Sequence, residues 1–211
     1  MPKLSPTARE VRRTQIMRAA QRCFARLGFF STTMDDVAAE AGVSKGTPYL
    51  YFESKAGLFR ALYEAWSCGL SEKMEAALSS LPEFERRSPR TNLRVVLTAI
   101  GEHVMAEPDA CRVLVEAQAQ ARQLSGIAEA TATSQAETLA SFERLLEAGV
   151  ASGEWRLAGR ADLHARLLLA AVYGLMSQWH LEPDSFSWAE AATALVNQMS
   201  ATADASQLEA L

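Results

Sequence analysis

Apolar residues return at three- and four-residue steps along almost the whole chain, and this period limits the fold more than any other feature of the sequence. Ile16, Ala20, Cys23, Phe24 and Leu27 fall at i, i+4, i+7, i+8 and i+11, one stripe of an amphipathic helix. Gly28 ends that stripe. Thr33 stands where an N-cap belongs, with Asp36 three residues on and Asp35 beside it. That is capping-box grammar, and the carboxylates suit the positive end of the helix dipole. Met34, Val37, Ala38 and Ala41 give a short second stripe, which Gly42 breaks. Ser44 reads as the cap of a third, very short helix ending near Phe52. Ser54 caps a fourth, with Leu58, Phe59, Leu62 and Trp66 on one face. Residues 82–90 read as a loop. Helical patterns follow at 91–106, 109–123, 127–152, 160–181 and 186–202, parted by Pro108, Ser125-Gly126, Gly153, Gly159 and Pro183. No strand alternation or internal repeat interrupts them. The expected fold is all-α with about nine helices: a three-helix helix-turn-helix unit at 1–55 and a larger helical bundle at 56–211.

Composition bounds the function. Of 211 residues, 49% are hydrophobic and 22% charged, which excludes a disordered chain and supplies a sizeable core. The net charge of −4 by itself argues against a nucleic-acid partner, but it is unevenly placed. Residues 1–55 carry nine basic and five acidic side chains (+4), and residues 56–211 carry twelve and twenty (−8). A basic head on an acidic body suggests two jobs, with the head meeting a polyanion. The longest apolar run, Leu167 to Met176, is far below the roughly 20 residues a bilayer span needs. With no signal-peptide pattern in the first thirty residues, a soluble, cytoplasmic protein with no membrane partner is expected. Cys23, Cys68 and Cys111 are scattered and read as small buried side chains in a reducing compartment. His103, His164 and His180 fall in separate helices, so no metal site is expected. The sequence has no Ser-His-Asp order, paired carboxylates or phosphate loop, and neither catalysis nor a cofactor is expected.

Residues 33–52 carry the functional signal: a helix from Met34 to Ala41, the turn Gly42-Val43-Ser44, and a helix from Lys45 to Phe52. Helix, Gly-containing turn, helix is the grammar of a major-groove reader. Its second helix has donors at its N-terminal end in Ser44, Lys45, Gly46, Thr47, Tyr49 and Tyr51. Hydroxyls and a helix N-terminus bind phosphate oxygens, and Gly46 allows close backbone approach. Val43 and Phe52 are the apolar pegs that seat the helix.

From Arg13 to about Leu62 the sequence resembles the N-terminal signature of TetR/AcrR-type transcriptional regulators. The shared pieces are Ala19-Ala20 and Phe24, Gly28-Phe29, Thr32-Thr33, Val37-Ala38, Ala41-Gly42-Val43-Ser44, Tyr49, Phe52 and Ser54-Lys55. The resemblance implies double-stranded operator DNA as a partner. It puts Thr32 and Thr33 where the second helix meets the DNA backbone, and Ser44, Lys45, Gly46 and Thr47 at the head of the recognition helix. Tyr49 and Tyr51 then flank phosphates, and Lys55 clamps one more. Base reading falls to Lys45, Gly46 and Thr47, with Tyr51 as a further candidate; core packing is the alternative for Tyr49. Pro48 departs from the family, which usually has an aliphatic residue there. Either the helix starts as a looser turn or it starts effectively at Thr47, with Pro48 in the favourable first position. Ala56-Gly57 gives Ser54 no acidic partner.

One short recognition helix buries too little for a specific complex, so two half-sites and a homodimer are expected. Leu163, Leu167, Leu168, Ala171 and Leu175 make the eighth helix apolar on most sides, and Trp188, Ala192, Leu195, Val196 and Met199 stripe the ninth. The resemblance implies that these last two long helices pair between subunits, and that the middle helices enclose an unknown small-molecule effector. Trp66, His103, Arg112, Glu116 and Tyr173 are the polar and aromatic candidates to line its site. The expected function is a ligand-responsive repressor. The alternative is a helical small-molecule binding or catalytic protein with a vestigial DNA-binding head.

Overall fold

The computed structural model describes residues 6–120, 125–183 and 185–201. Among these there are nine α-helices, one short 3₁₀ helix and no strand, as the helical period predicts. In chain order they are α1 (Pro6–Ser31), α2 (Met34–Glu40), the 3₁₀ segment Pro48–Leu50, α3 (Lys55–Ser79), α4 (Glu83–Arg86), α5 (Pro89–Ala106), α6 (Pro108–Gln120), α7 (Ser125–Ala151), α8 (Ala161–Leu181) and α9 (Trp188–Ala201). None is long and apolar enough to cross a membrane.

The breakers act where the sequence puts them. Gly28 leaves helical geometry at φ 78° and kinks α1 before Phe29. Thr33 and Asp36 form the capping box: Asp36 N donates to Thr33 Oγ1 at 3.1 Å, and Thr33 N donates to Asp36 Oδ2 at 2.8 Å. Thr33 Oγ1 also donates to Asp36 Oδ2 at 2.7 Å, and this bond first, with that from Thr33 N, holds the Asp36 carboxyl below the usual carboxylate range. At the other end of α2, Gly42 N donates to Ala39 O and Val43 N to Ala38 O, a Schellman closure that needs the left-handed φ of 65° found at Gly42. One expectation is corrected. Residues 82–90 are not all loop, because α4 forms one turn there and α5 begins already at Pro89, a position where a missing N–H costs nothing.

The chain packs as two units. The first joins 1–68 to 107–132; the second joins 69–106 to 133–211. In the first unit α6 packs with the head. Val113 of α6 lies in one core with Ile16, Cys23 and Phe24 of α1, Val37 of α2, Phe52, and Leu58 and Phe59 of α3. Phe24, Phe29 and Phe59 form its aromatic centre, with ring centroids 5.2–5.6 Å apart and Phe29 edge-on to Phe59. Gln21 Nε2 donates to Glu107 Oε2 at 3.1 Å, tying α1 to the start of α6. In the second unit α5 and α9 approach closely, Trp188 lying against Gly101, where any Cβ would collide with the indole. Trp155 is buried, its Nε1 donating to Leu146 O at 2.9 Å.

Candidate nucleic-acid interface

The segment after Gly42 is not the α-helix expected over Lys45–Phe52. It is a run of three-residue turns: Thr47 N donates to Ser44 O at 2.8 Å, Leu50 N to Thr47 O at 3.0 Å, and Tyr51 N to Pro48 O at 3.1 Å. Only Pro48–Leu50 is a regular 3₁₀ helix, with Thr47 as its cap residue and Pro48 at its first position. The cause is Pro48, which has no N–H for the bond to Ser44 O that an α-helix would need. Of the two starts open to the sequence, the one at Thr47 is observed. Pro48 also has a positive role: its ring is buried, so it seats the segment together with Phe52 and the half-buried Val43.

With that inner side fixed, the polar residues divide into those that face outward and those that hold the frame. Ser44 is exposed; its hydroxyl lies 2.7 Å from that of Thr47 and makes no backbone cap. Lys45 is exposed, its Nζ 2.8 Å from Asp35 Oδ2. That hydrogen bond and the carboxylate charge push the ammonium above the ordinary lysine value. Gly46 is exposed, has no left-handed φ, and a Cβ there would meet nothing within 4 Å. Tyr49 is 55% exposed, which removes the core-packing alternative. Tyr51 lies half-buried on the head core, with the Arg9 guanidinium 5.9 Å from its ring centroid. Thr33 is exposed and occupied by the capping box.

Two of the residues expected to contact DNA face inward in this structure. Thr32 has no exposed surface, and its Oγ1 donates to Gly28 O at 2.8 Å, so its side chain locks the α1–α2 turn. Lys55 turns inward. Its Nζ donates to Phe29 O at 2.7 Å, Phe30 O at 3.1 Å and Thr32 O at 2.7 Å, and sits 4.6 Å from the Phe29 ring centroid. Burial pushes this ammonium down from the ordinary lysine value. An ammonium has three N–H donors, one for each of the three carbonyls. All three donors being used, Lys55 clamps its own chain in this structure.

The basic surplus of the head is partly spent internally. Arg22 Nε lies 2.7 Å from Glu40 Oε1 and Arg26 Nη2 lies 3.6 Å from Glu40 Oε2. The Arg22 hydrogen bond, first among the causes, holds Glu40 below the usual carboxylate range. Sequence reasoning missed Leu50, which is 71% exposed on the recognition segment. The signal was there, an apolar residue inside a polar reading stretch, but an α-helical period could not show which way it points.

The effector candidates are divided between the two units. Trp66 and Arg112 belong to the first unit, where Arg112 is exposed and Trp66 half-buried. His103 and Tyr173 belong to the second, with the His103 ring against Gly69. The side chain of Glu116 lies outside the described residues. A groove of about 460 Å³ in the second unit is lined instead by Met74, Leu78, Arg86 and Arg144 among others. Cys23 and Cys111 are buried, and burial pushes the Cys111 thiol up to about 11. Cys68 is exposed, against the expectation of three buried thiols. Among the described residues no three His, Cys, Asp or Glu side chains cluster as metal ligands would.

The profile described as "Bacterial regulatory proteins, tetR family" matches residues 16–62, and that described as "BetI-type transcriptional repressor, C-terminal" matches 89–203, more than half of the chain. The chain belongs to the TetR family. Its head is 42% identical over 71 residues to YfiR of Bacillus subtilis, an HTH-type transcriptional regulator, the match spanning 34% of this chain and 33% of that one. AcrR of Shigella flexneri, another HTH-type transcriptional regulator, is 29% identical over 181 residues, covering 82% of this chain and 80% of its own. Among solved structures, a putative transcriptional regulator from Pseudomonas aeruginosa PAO1 superposes with TM-score 0.79 at 23% identity, over 95% and 94% of the two chains. FadR of Bacillus subtilis, solved in complex with stearoyl-CoA, superposes with TM-score 0.69 at 18% identity, over 89% and 97%. This TetR-family chain is thus a DNA-binding transcriptional regulator with the all-helical fold of those structures.

Proposed function

We propose that this regulator is a homodimeric repressor of a palindromic operator, released by a small molecule. The recognition segment carries this reading: Ser44, Lys45, Gly46 and Tyr49 stand exposed while Pro48 and Phe52 pin the opposite side. The DNA contacts are assigned to Thr33, Ser44, Lys45, Gly46, Thr47, Tyr49 and Tyr51. Thr32 and Lys55 hold the frame that presents them. Residues 1–55 are assigned to DNA binding and 56–211 to effector binding and dimerisation, with α6 shared in packing.

The dimer is assigned to α8 and α9. Leu163 and Leu167, one turn apart on α8, are 54% and 55% exposed, and Ala170 continues the same uncovered ridge. The effector assignment draws on the stearoyl-CoA complex of FadR, a protein of the same fold. An effector in the body that favours a head spacing other than the roughly 35 Å between successive major grooves would release the DNA. No catalytic step is needed, and such a regulator works in the cytoplasm.

The test is binding of the purified chain to the DNA upstream of its own gene across a salt series, with sedimentation of the same sample. Affinity should fall steeply and linearly in log–log form, as counterion release requires. Leu167→Glu should give a monomer with little operator affinity. A flat salt response, or a wild-type monomer that binds a half-site as well as the whole operator, would overturn the proposal.

A further inference from the structure

We propose that Leu50 is a base-reading residue, and that it recognises the C5-methyl group of a thymine in each operator half-site. Its role rests on the DNA-binding function above. Three observations place it. First, Leu50 is 71% exposed, whereas Pro48 and Phe52 on either side of it are buried, so no intramolecular partner explains a large aliphatic side chain here. Second, the segment climbs in i→i+3 steps, from Ser44 O to Thr47 N and from Thr47 O to Leu50 N. In such a ladder the side chains at i and i+3 stack in one column. The 2.7 Å contact between the Ser44 and Thr47 hydroxyls puts those two side chains together, and the Leu50 N to Thr47 O bond repeats the same step to Leu50. Third, the column runs hydroxyl, hydroxyl, isobutyl. An isobutyl group has no donor or acceptor for a phosphate or for a purine edge. The one apolar feature that base pairs present in the major groove is the thymine methyl.

An α-helix over the same residues would separate residues 44, 47 and 50 by 100° per residue rather than stacking them. Pro48, by forcing the tighter turn, therefore puts an apolar reader behind two polar ones. Tyr49, exposed beside Leu50, keeps a phenol for the backbone, so the two neighbours divide shape reading from phosphate binding.

The experiment uses the full chain and an operator duplex selected by it from a random library. Each thymine is replaced in turn, symmetrically in both half-sites, by deoxyuridine, which removes the C5-methyl and nothing else. One buried methyl is worth about fourfold in affinity per half-site, so one symmetric pair should weaken the wild type roughly fifteenfold. Leu50→Ala should bind the thymine duplex more weakly and show no penalty at that pair, with an unchanged circular dichroism melt because the side chain is exposed. Tyr49→Ala should lose affinity and keep the methyl penalty. A methyl penalty that survives in Leu50→Ala, or a wild type indifferent to every replacement, would overturn the assignment of Leu50 and leave the regulator reading standing. Failure to select any duplex would overturn both.

Discussion

Removing the Lys55 ammonium while keeping its stem, as Lys55→Met does, separates two roles that predict opposite results. In the structure the ammonium serves three carbonyls of the α1–α2 connection and the face of Phe29. The bonds to Phe29 O and Thr32 O are part-buried, and each is worth about 1–1.5 kcal/mol. The bond to Phe30 O is exposed and water can replace it, so it counts for nearly nothing. The cation–π contact adds about 0.5–1 kcal/mol. The loss should therefore be roughly 3 kcal/mol, or about 6–12 °C in melting temperature at 2–4 °C per kcal/mol for a chain of this length. Thermal unfolding followed by circular dichroism measures it. The salt dependence of DNA binding, taken below the melt, should keep its slope, because every phosphate keeps its partner. If Lys55 instead clamped phosphate, stability would barely change. The slope would become shallower by about 2, since each head of a dimer would neutralise one phosphate fewer. That second pattern would refute the inward clamp.

Gly46→Ala should move stability and DNA binding in opposite directions. The folded protein has open space and an ordinary φ there, so alanine should raise stability by about 0.4–1 kcal/mol through the unfolded chain. Operator affinity should fall tenfold or more, because the added methyl stands between the backbone and the groove; a fluorescence anisotropy titration reads this. The capping box gives a pH dependence. Asp36 has a lower pKa folded than unfolded, so the stability it contributes is complete above the unfolded value near 3.9 and is lost as pH falls through the folded value. Melting temperature should drop on acidification below about pH 4, and Asp36→Asn should lower the neutral-pH value and flatten that drop.

Much of the fold was legible because its punctuation is local. Gly28, Gly42 and Pro108 mark helix ends through backbone geometry alone, and Thr33 with Asp36 marks a start through hydrogen bonds three residues apart. What stayed hidden depends on distant partners. The inward turn of Lys55 requires knowing that carbonyls 23 to 26 residues earlier lie beside it. Burial of Thr32 follows from the kink at Gly28, which puts its hydroxyl back onto Gly28 O. Pro48 could be recognised as a departure, and its two consequences were open until the turn geometry chose between them. The effector residues stayed obscure for a different reason. A helical stripe tells which face is buried, and not which of two packing units buries it; Trp66 and His103 fall on different sides of that division.

Val113 gives the molecule a constraint on engineering. Val113 of α6 shares the core of the head, so the N-terminal sixty-odd residues taken alone would lose one of its members. Grafting them onto another regulator would leave the core that holds Ile16 and Phe24 without Val113. A chimera that swaps operator choice while keeping effector choice must therefore carry residues 107–115 along with the head, or redesign that seam.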